Sequence, residues 1–213
     1  MRAFIYTGGA VHTAFVTEHP KADDLCIAAD AGYRTACTLG ERVDVLLGDF
    51  DSLGEPPVDE SFEILRVPAE KDLTDTQLAV ELALDRGAEE IFIIGGLTGR
   101  LDHTLSTLAI LEDLYARGVH GTITDGQSRV RYLCSSSTLV ARSAYRYLSL
   151  VAADDVVKGV TVEGCKYPLT RATLHRRRQF AVSNEITGNV AFLSVKKGGI
   201  YVIESRDVDT SRA

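Results

Sequence analysis

Six short apolar runs in the first ~125 residues constrain this chain more than any other feature. They are Arg2–Tyr6, Leu25–Ala29, Val43–Leu47, Phe62–Val67, Ile91–Ile94 and His120–Thr124. A strand with one wet face alternates polar and apolar residues. Nearly continuous apolar runs are expected where both faces are covered, as in a parallel sheet. Several runs end in small or acidic residues: Gly8-Gly9, Asp30, Gly48-Asp49 and Gly95-Gly96. Helical spacing fills the gaps. Leu78 and Leu82, with Ala79 and Ala83, form a stripe within Thr74–Arg86. Leu101, Leu105, Leu108 and Tyr115 form another before Gly118 stops the helix. Ala31–Leu39 is a weaker third helix. Strands alternating with helices imply an open α/β sheet, Rossmann-like, with right-handed crossovers.

The pattern changes after Gly126. Arg129–Leu133, Thr138–Arg142, Tyr145–Val151, Val156–Val162, Asn189–Val195 and Ile200–Glu204 are short, alternating and broken by Gly, Asp or Ser. No strong helical stripe accompanies them. The expected architecture is α/β plus all-β: an α/β domain over 1–126 and a β-sandwich over 127–213. At ~150 residues per domain, a chain of 213 residues suits one large domain or two small ones.

Charge narrows the function classes. Lys and Arg number 23 against 30 Asp and Glu, a net charge of −7. A nucleic-acid or anionic-membrane binder usually has the opposite balance, so neither partner is expected. Arg176-Arg177-Arg178 therefore reads as an exposed hairpin or loop. No window approaches the ~20 apolar residues of a membrane span, and MRAFIYTGGA lacks a secretory apolar stretch. Cys26, Cys37, Cys134 and Cys165 include no C-x-x-C pair, so no zinc site is expected. A reducing, cytoplasmic setting follows as an expectation.

Three Asp-bearing loops carry the chemistry. Gly48-Asp49-Phe50-Asp51-Ser52 follows an apolar strand, and α/β sheets bind ligands at the carboxyl ends of their strands. Two carboxylates so close repel unless a cation or proton offsets them, and magnesium takes one or two carboxylates plus substrate phosphates. The plain alternative is an Asp-rich turn capping the next helix. In Glu70-Lys71-Asp72-Leu73-Thr74-Asp75-Thr76-Gln77, Thr74 and Gln77 have capping-box spacing. Asp75 lies on the stripe facing the sheet, as a helix-dipole partner or a metal ligand, whereas Asp72 is assigned to capping or solvent. Gly95-Gly96-Leu97-Thr98-Gly99-Arg100-Leu101-Asp102-His103 leads into the second helix. Its glycines admit close backbone approach to phosphate, and Arg100 can fork onto phosphate oxygens. Asp102 is either a cap or a ligand of the same cation. His103 reads first as a structural hydrogen-bonding residue. It is kept, with Thr74 and Gln77, among the candidate nucleotide contacts.

Taken in order, these segments resemble the thiamine pyrophosphokinase family. The resemblance runs through Asp30-Ala31-Gly32, Gly48–Ser52, Lys71–Asp75 and Gly95–His103, then Gly164-Cys165-Lys166-Tyr167-Pro168-Leu169 and Ser183-Asn184-Glu185. It implies an α/β domain that binds ATP and magnesium, a β-sandwich, and transfer of ATP's pyrophosphoryl group to thiamine with release of AMP. It implies Asp49, Asp51, Asp75 and Asp102 as the magnesium and pyrophosphate cluster, with Asp30 nearby. Thr98 and Arg100 are implied as nucleotide contacts, and Ser183 and Asn184 as contacts to the thiamine pyrimidine. It also implies a homodimer whose active sites are shared between subunits. Some members stack a tryptophan on thiamine. This chain has none, and Tyr201 occupies the comparable terminal strand.

Two other readings fit parts of the sequence. A haloacid-dehalogenase-like phosphatase would use Asp49 as a covalent nucleophile, although its D-x-D normally ends the first strand rather than the third. A non-catalytic nucleotide sensor would use the β domain for a partner.

Overall fold

The computed structural model describes residues 1–54, 61–68, 70 and 72–207. Lys71 of the acidic segment and residues 208–213 of the β half lie outside them. The chain divides into two compact units, Met1–Gly126 and Gln127–Ala213.

The first unit is built on six parallel strands: β1 (Arg2–Tyr6), β2 (Leu25–Ala29), β3 (Val45–Gly48), β4 (Glu63–Arg66), β5 (Glu90–Ile94) and β6 (His120–Thr124). Their order is β4-β3-β2-β1-β5-β6. Tyr6 pairs with Ala28 on one side and Ile94 on the other, so three strands end level beneath the loops that matter. Every residue of β2 and β3 is buried, which is why those strands read as unbroken apolar runs. Edge strand β4 is mostly exposed and accordingly carries Glu63 and Arg66. Helix α1 (Gly32–Leu39) places Ala36 and Leu39 against Phe4, Tyr6 and Cys26. Helix α2 (Asp75–Asp85) lies on β1, β2 and β3, and α3 (Leu101–Ala116) on β6.

Of the two apolar stripes, the one on α2 is buried and the one on α3 needs correction. On α2 the most deeply buried side chains are Ala79, Val80 and Ala83, with Leu78 and Leu82 half-buried beside them. On α3 the buried face is Thr107, Ile110, Leu111 and Leu114. Leu101 and Leu105 are 70% and 58% exposed. The helix has apolar residues on both sides, and leucine spacing alone selected the wrong one.

The second unit packs two antiparallel sheets. In one, β7 (Ser128–Cys134), β13 (Gly199–Ser205) and β9 (Tyr147–Ala152) lie in that order. The other has the order β11-β10-β12-β8, from Leu169–His175, Val156–Glu163, Val190–Ser194 and Ser137–Ala141. Leu150, Val160, Leu174, Leu193 and Ile200 fill the space between the sheets. Strand β11 is not marked by the sequence pattern, and Arg176, Arg177 and Arg178 follow it in an exposed turn, as expected. Its Thr170, Arg171, Thr173 and His175 are exposed, so little apolar patterning marks it. Glu204, 2% exposed, is held by Arg129 at 2.8 Å and Arg131 at 3.0 Å. Removing either arginine would leave buried charge poorly compensated.

Candidate active site

The chain runs from β1 outward through β2, β3 and β4, then returns to the other side of β1 for β5. The loops leaving β1 and β5 lie at this switch point, where a cleft opens at the carboxyl ends of the strands. Thr7-Gly8-Gly9 and Gly96 line it, with Gly95 packed behind on Thr7. Gly95 has φ +103°, and a Cβ there would lie 2.7 Å from Thr7 Oγ1, so only glycine fits. Thr98 clasps the opposite loop. Its hydroxyl accepts the Ala10 N–H at 2.9 Å and donates to the Ala10 carbonyl at 3.1 Å. The resulting cleft, ≈ 500 Å³, extends over β2 and β3 to the start of α2.

Its acidic wall is Asp30, Asp49 and Asp51, with one carboxylate oxygen of each lying within 4.8 Å of the others. Asp30 is buried at the end of β2 with φ +46°. Its N–H donates to the Leu47 carbonyl at 2.8 Å, and its Oδ1 accepts the Leu53 N–H at 3.1 Å. Asp49 Oδ1 accepts the Asp51 N–H at 3.2 Å, closing a tight turn around Phe50. Sequence placed Asp30 only near the cluster; the structure brings it to the same point as Asp49 and Asp51.

Two helix starts face the cleft. Thr74 caps α2: its Oγ1 accepts the Gln77 N–H at 3.2 Å while Gln77 Oε1 accepts the Thr74 N–H at 2.9 Å. Thr74 and Asp75 line the cleft, while Gln77 is engaged in the capping box and does not. Asp72 also lines it and is exposed. At the start of α3, Arg100 and His103 line the cleft. Asp102 is not among the lining residues. It accepts from Arg100 at 2.6 Å, and this bond is the chief cause that holds its carboxyl down at about 2. Both side chains are exposed, so the pair forms a charged rim. Of the four carboxylates expected to share one cation, Asp49 and Asp51 belong to the triad, Asp75 lines the cleft at the start of α2, and Asp102 lies outside the lining.

The thiamine-contact candidates lie in the second unit. Asn184 lines an apolar cavity of ≈ 260 Å³ with Leu150, Tyr167, Leu169, Phe180 and Val182. Its side-chain amide is engaged with the backbone. Oδ1 accepts the Tyr167 and Glu185 N–H groups at 2.9 and 3.0 Å, and Nδ2 donates to the Tyr167 carbonyl at 2.8 Å. Asn184 therefore sets the position of Tyr167, a residue 58% exposed. Ser183 adjoins it with φ +57°. Tyr201 is not part of that cavity: it lies edge-on to Tyr132 at 5.7 Å, on the sheet face away from the sandwich core. The sequence signal for Tyr167 was its place in Gly164–Leu169. For Thr7 it was the glycine pair that follows β1.

Comparison with known proteins accounts for both units. Residues 17–123 match the family model of the thiamin pyrophosphokinase catalytic domain, and residues 136–200 that of the thiamin pyrophosphokinase vitamin B1 binding domain. The thiamine pyrophosphokinase of Bacillus subtilis is 28% identical over 200 residues, 92% of each chain. Among solved structures, a thiamin pyrophosphokinase family protein from Enterococcus faecalis is 30% identical, with a TM-score of 0.81 over 98% of this chain and 100% of that one. The Bacillus subtilis crystal structure shares the fold with a TM-score of 0.86 at 24% identity, over 98% of this chain and 100% of that one. Neither the phosphatase nor the nucleotide-sensor reading is favoured by these matches. With family models covering most of both units, the chain belongs to the thiamin pyrophosphokinase family.

Proposed function

We propose that this chain transfers the pyrophosphoryl group of ATP to the primary hydroxyl of thiamine, giving thiamine diphosphate and AMP. One observation carries the reading: a carboxylate triad beside glycine loops at the sheet's switch point, in a chain whose two units match the two domains of the family. The hydroxyl oxygen attacks the β-phosphorus. A new O–P bond forms as the bond to the oxygen bridging α and β phosphates breaks, and its electron pair leaves with AMP. An Asp of the cluster takes the hydroxyl proton.

The donor set suits magnesium. The three groups offer oxygen alone, and no histidine or cysteine belongs to the cluster. Asp49 and Asp51 would hold the ion with Asp30, and Asp75 and Asp102 complete the acidic wall and rim. Bound there, magnesium supplies charge neutralisation for the phosphates during transfer. The chain's own groups do the positioning. The Gly8-Gly9 and Gly96 backbones allow close approach of phosphate, and the helix starts favour its charge. Arg100 offers a forked donor at the rim, and Thr98 and His103 lie beside it on the nucleotide path.

Thiamine is cationic and heteroaromatic. The acidic wall attracts its charge. Ser183, Asn184 and the aromatic cavity of the β unit suit its ring, and Tyr201 lies elsewhere on the same unit. The resemblance pairs one subunit's α/β unit with its partner's β unit in a homodimer, the commonest kind of assembly. No helix among the described residues is long and apolar enough to cross a membrane.

Incubation with ATP, magnesium and thiamine tests the reading. The expected products are AMP and thiamine diphosphate in equal amounts. ADP with thiamine monophosphate, or orthophosphate released without transfer, would overturn it.

A further inference from the structure

Phe50 separates the two carboxylates of the Gly48–Ser52 turn and points the opposite way. Its ring is 5% exposed and packs on Ala28 and Leu46, with Tyr33, Leu53 and Phe62 alongside. The Arg66 guanidinium covers the ring at 5.0 Å. Its backbone has φ +64°, a region that a bulky residue adopts only when its surroundings impose it. The surroundings are on hand. The Phe50 carbonyl accepts the Gly54 N–H at 3.0 Å, and Leu53 is tied by its N–H to Asp30 and by its carbonyl to Arg34 at 2.8 Å. The left-handed step at Phe50 lets Asp49 Oδ1 reach the Asp51 N–H and brings both carboxylates to Asp30. Mutual repulsion of three carboxylates opposes that arrangement, so something other than the carboxylates must hold it.

We propose that Phe50 is the positioning residue of the acidic cluster: its buried ring anchors the strained turn that aims Asp49 and Asp51 at one cation. The proposal rests on the metal-binding reading above and adds the residue that makes the site before any ion arrives. Phe50 touches neither phosphate nor metal. Its effect is on the geometry of the ligands, as outer-shell partners act elsewhere.

Mn²⁺, which takes the same oxygen donors, provides a readout independent of turnover. Free Mn²⁺ is measured by electron paramagnetic resonance with wild-type protein, alone and with α,β-methylene-ATP. Phe50→Ala removes the anchor. Phe50→Val keeps an apolar side chain but disfavours the left-handed backbone through its branched Cβ. Both are expected to bind Mn²⁺ about tenfold more weakly, while Phe50→Leu stays within about threefold of wild type. In steady state, KM for metal–ATP rises in Phe50→Ala and KM for thiamine does not. Circular dichroism identifies folded variants, and Phe50→Val carries the test if Phe50→Ala fails to fold. Wild-type Mn²⁺ affinity in a folded Phe50→Ala or Phe50→Val protein would overturn the positioning role. Absence of Mn²⁺ binding by the wild-type protein, with and without nucleotide, would overturn the metal reading beneath it.

Discussion

Asp102 shows how one short contact changes what a carboxylate can do. Its carboxyl is lowered from the usual 3.8 to about 2, first by the Arg100 hydrogen bond and further by the His103 N–H and nearby positive charge. A depressed folded value favours the native state above the unfolded value and loses that contribution as pH falls through the folded one. The relevant window is therefore between 3.8 and about 2, well below neutrality. The pair is exposed, so its effect on stability is small. Its titration is nonetheless measurable. Carbon-detected NMR of the Asp102 carboxyl is expected to give a midpoint near 2 in the wild type, moving up toward 3.8 in Arg100→Ala. An unchanged midpoint would show that Arg100 does not hold Asp102. At pH 7 both groups are charged, and Arg100 is engaged with Asp102.

Helix α3 shows what an element's burial decides. Leu111 is 1% exposed and Leu114 is fully buried, while Leu101 and Leu105 lie open. Leu111→Ala should cost about 2–5 kcal/mol by leaving a cavity under the helix. Leu101→Ala and Leu105→Ala should stay within about 0.5 kcal/mol of wild type, as exposed substitutions do. Urea melts of the three variants measure this directly, and equal losses would restore the leucine stripe as the buried face. The start of α2 was legible because the Thr74–Gln77 capping box is a local device, complete within four residues. The buried face of α3 was not, because it depends on which side meets β6. Strand β11 was missed for the same reason: its polar outward residues make sense only once β10 is beside it. The acidic motifs were legible as motifs, but the joining of Asp30 with Asp49 and Asp51 required the parallel register of β2 and β3.

At the scale of the whole molecule, charge is divided sharply. Residues 1–126 carry 9 Lys and Arg against 23 Asp and Glu, a net −14, and residues 127–213 carry 14 against 7, a net +7. Two copies arranged about a two-fold axis can set each acidic unit against its partner's basic one, and this complementarity favours encounter and orientation. The arrangement would supply what each half of the site lacks. The α/β unit holds the carboxylates and glycine loops, and the β unit holds the aromatic cavity with Ser183 and Asn184 beside it. On the proposed shared site, Asp51→Asn is expected to disable the first half and Asn184→Ala the second, since Asn184 also fixes Tyr167. If the sites are shared, a mixed dimer of these two variants contains one site with both defects and one with neither. Co-expression should therefore recover up to about half of wild-type activity per mixed dimer if the sites act independently. If every site were built within one chain, mixing would restore nothing. Native mass spectrometry establishes that mixed dimers have formed, and zero activity in them would rule out the shared site.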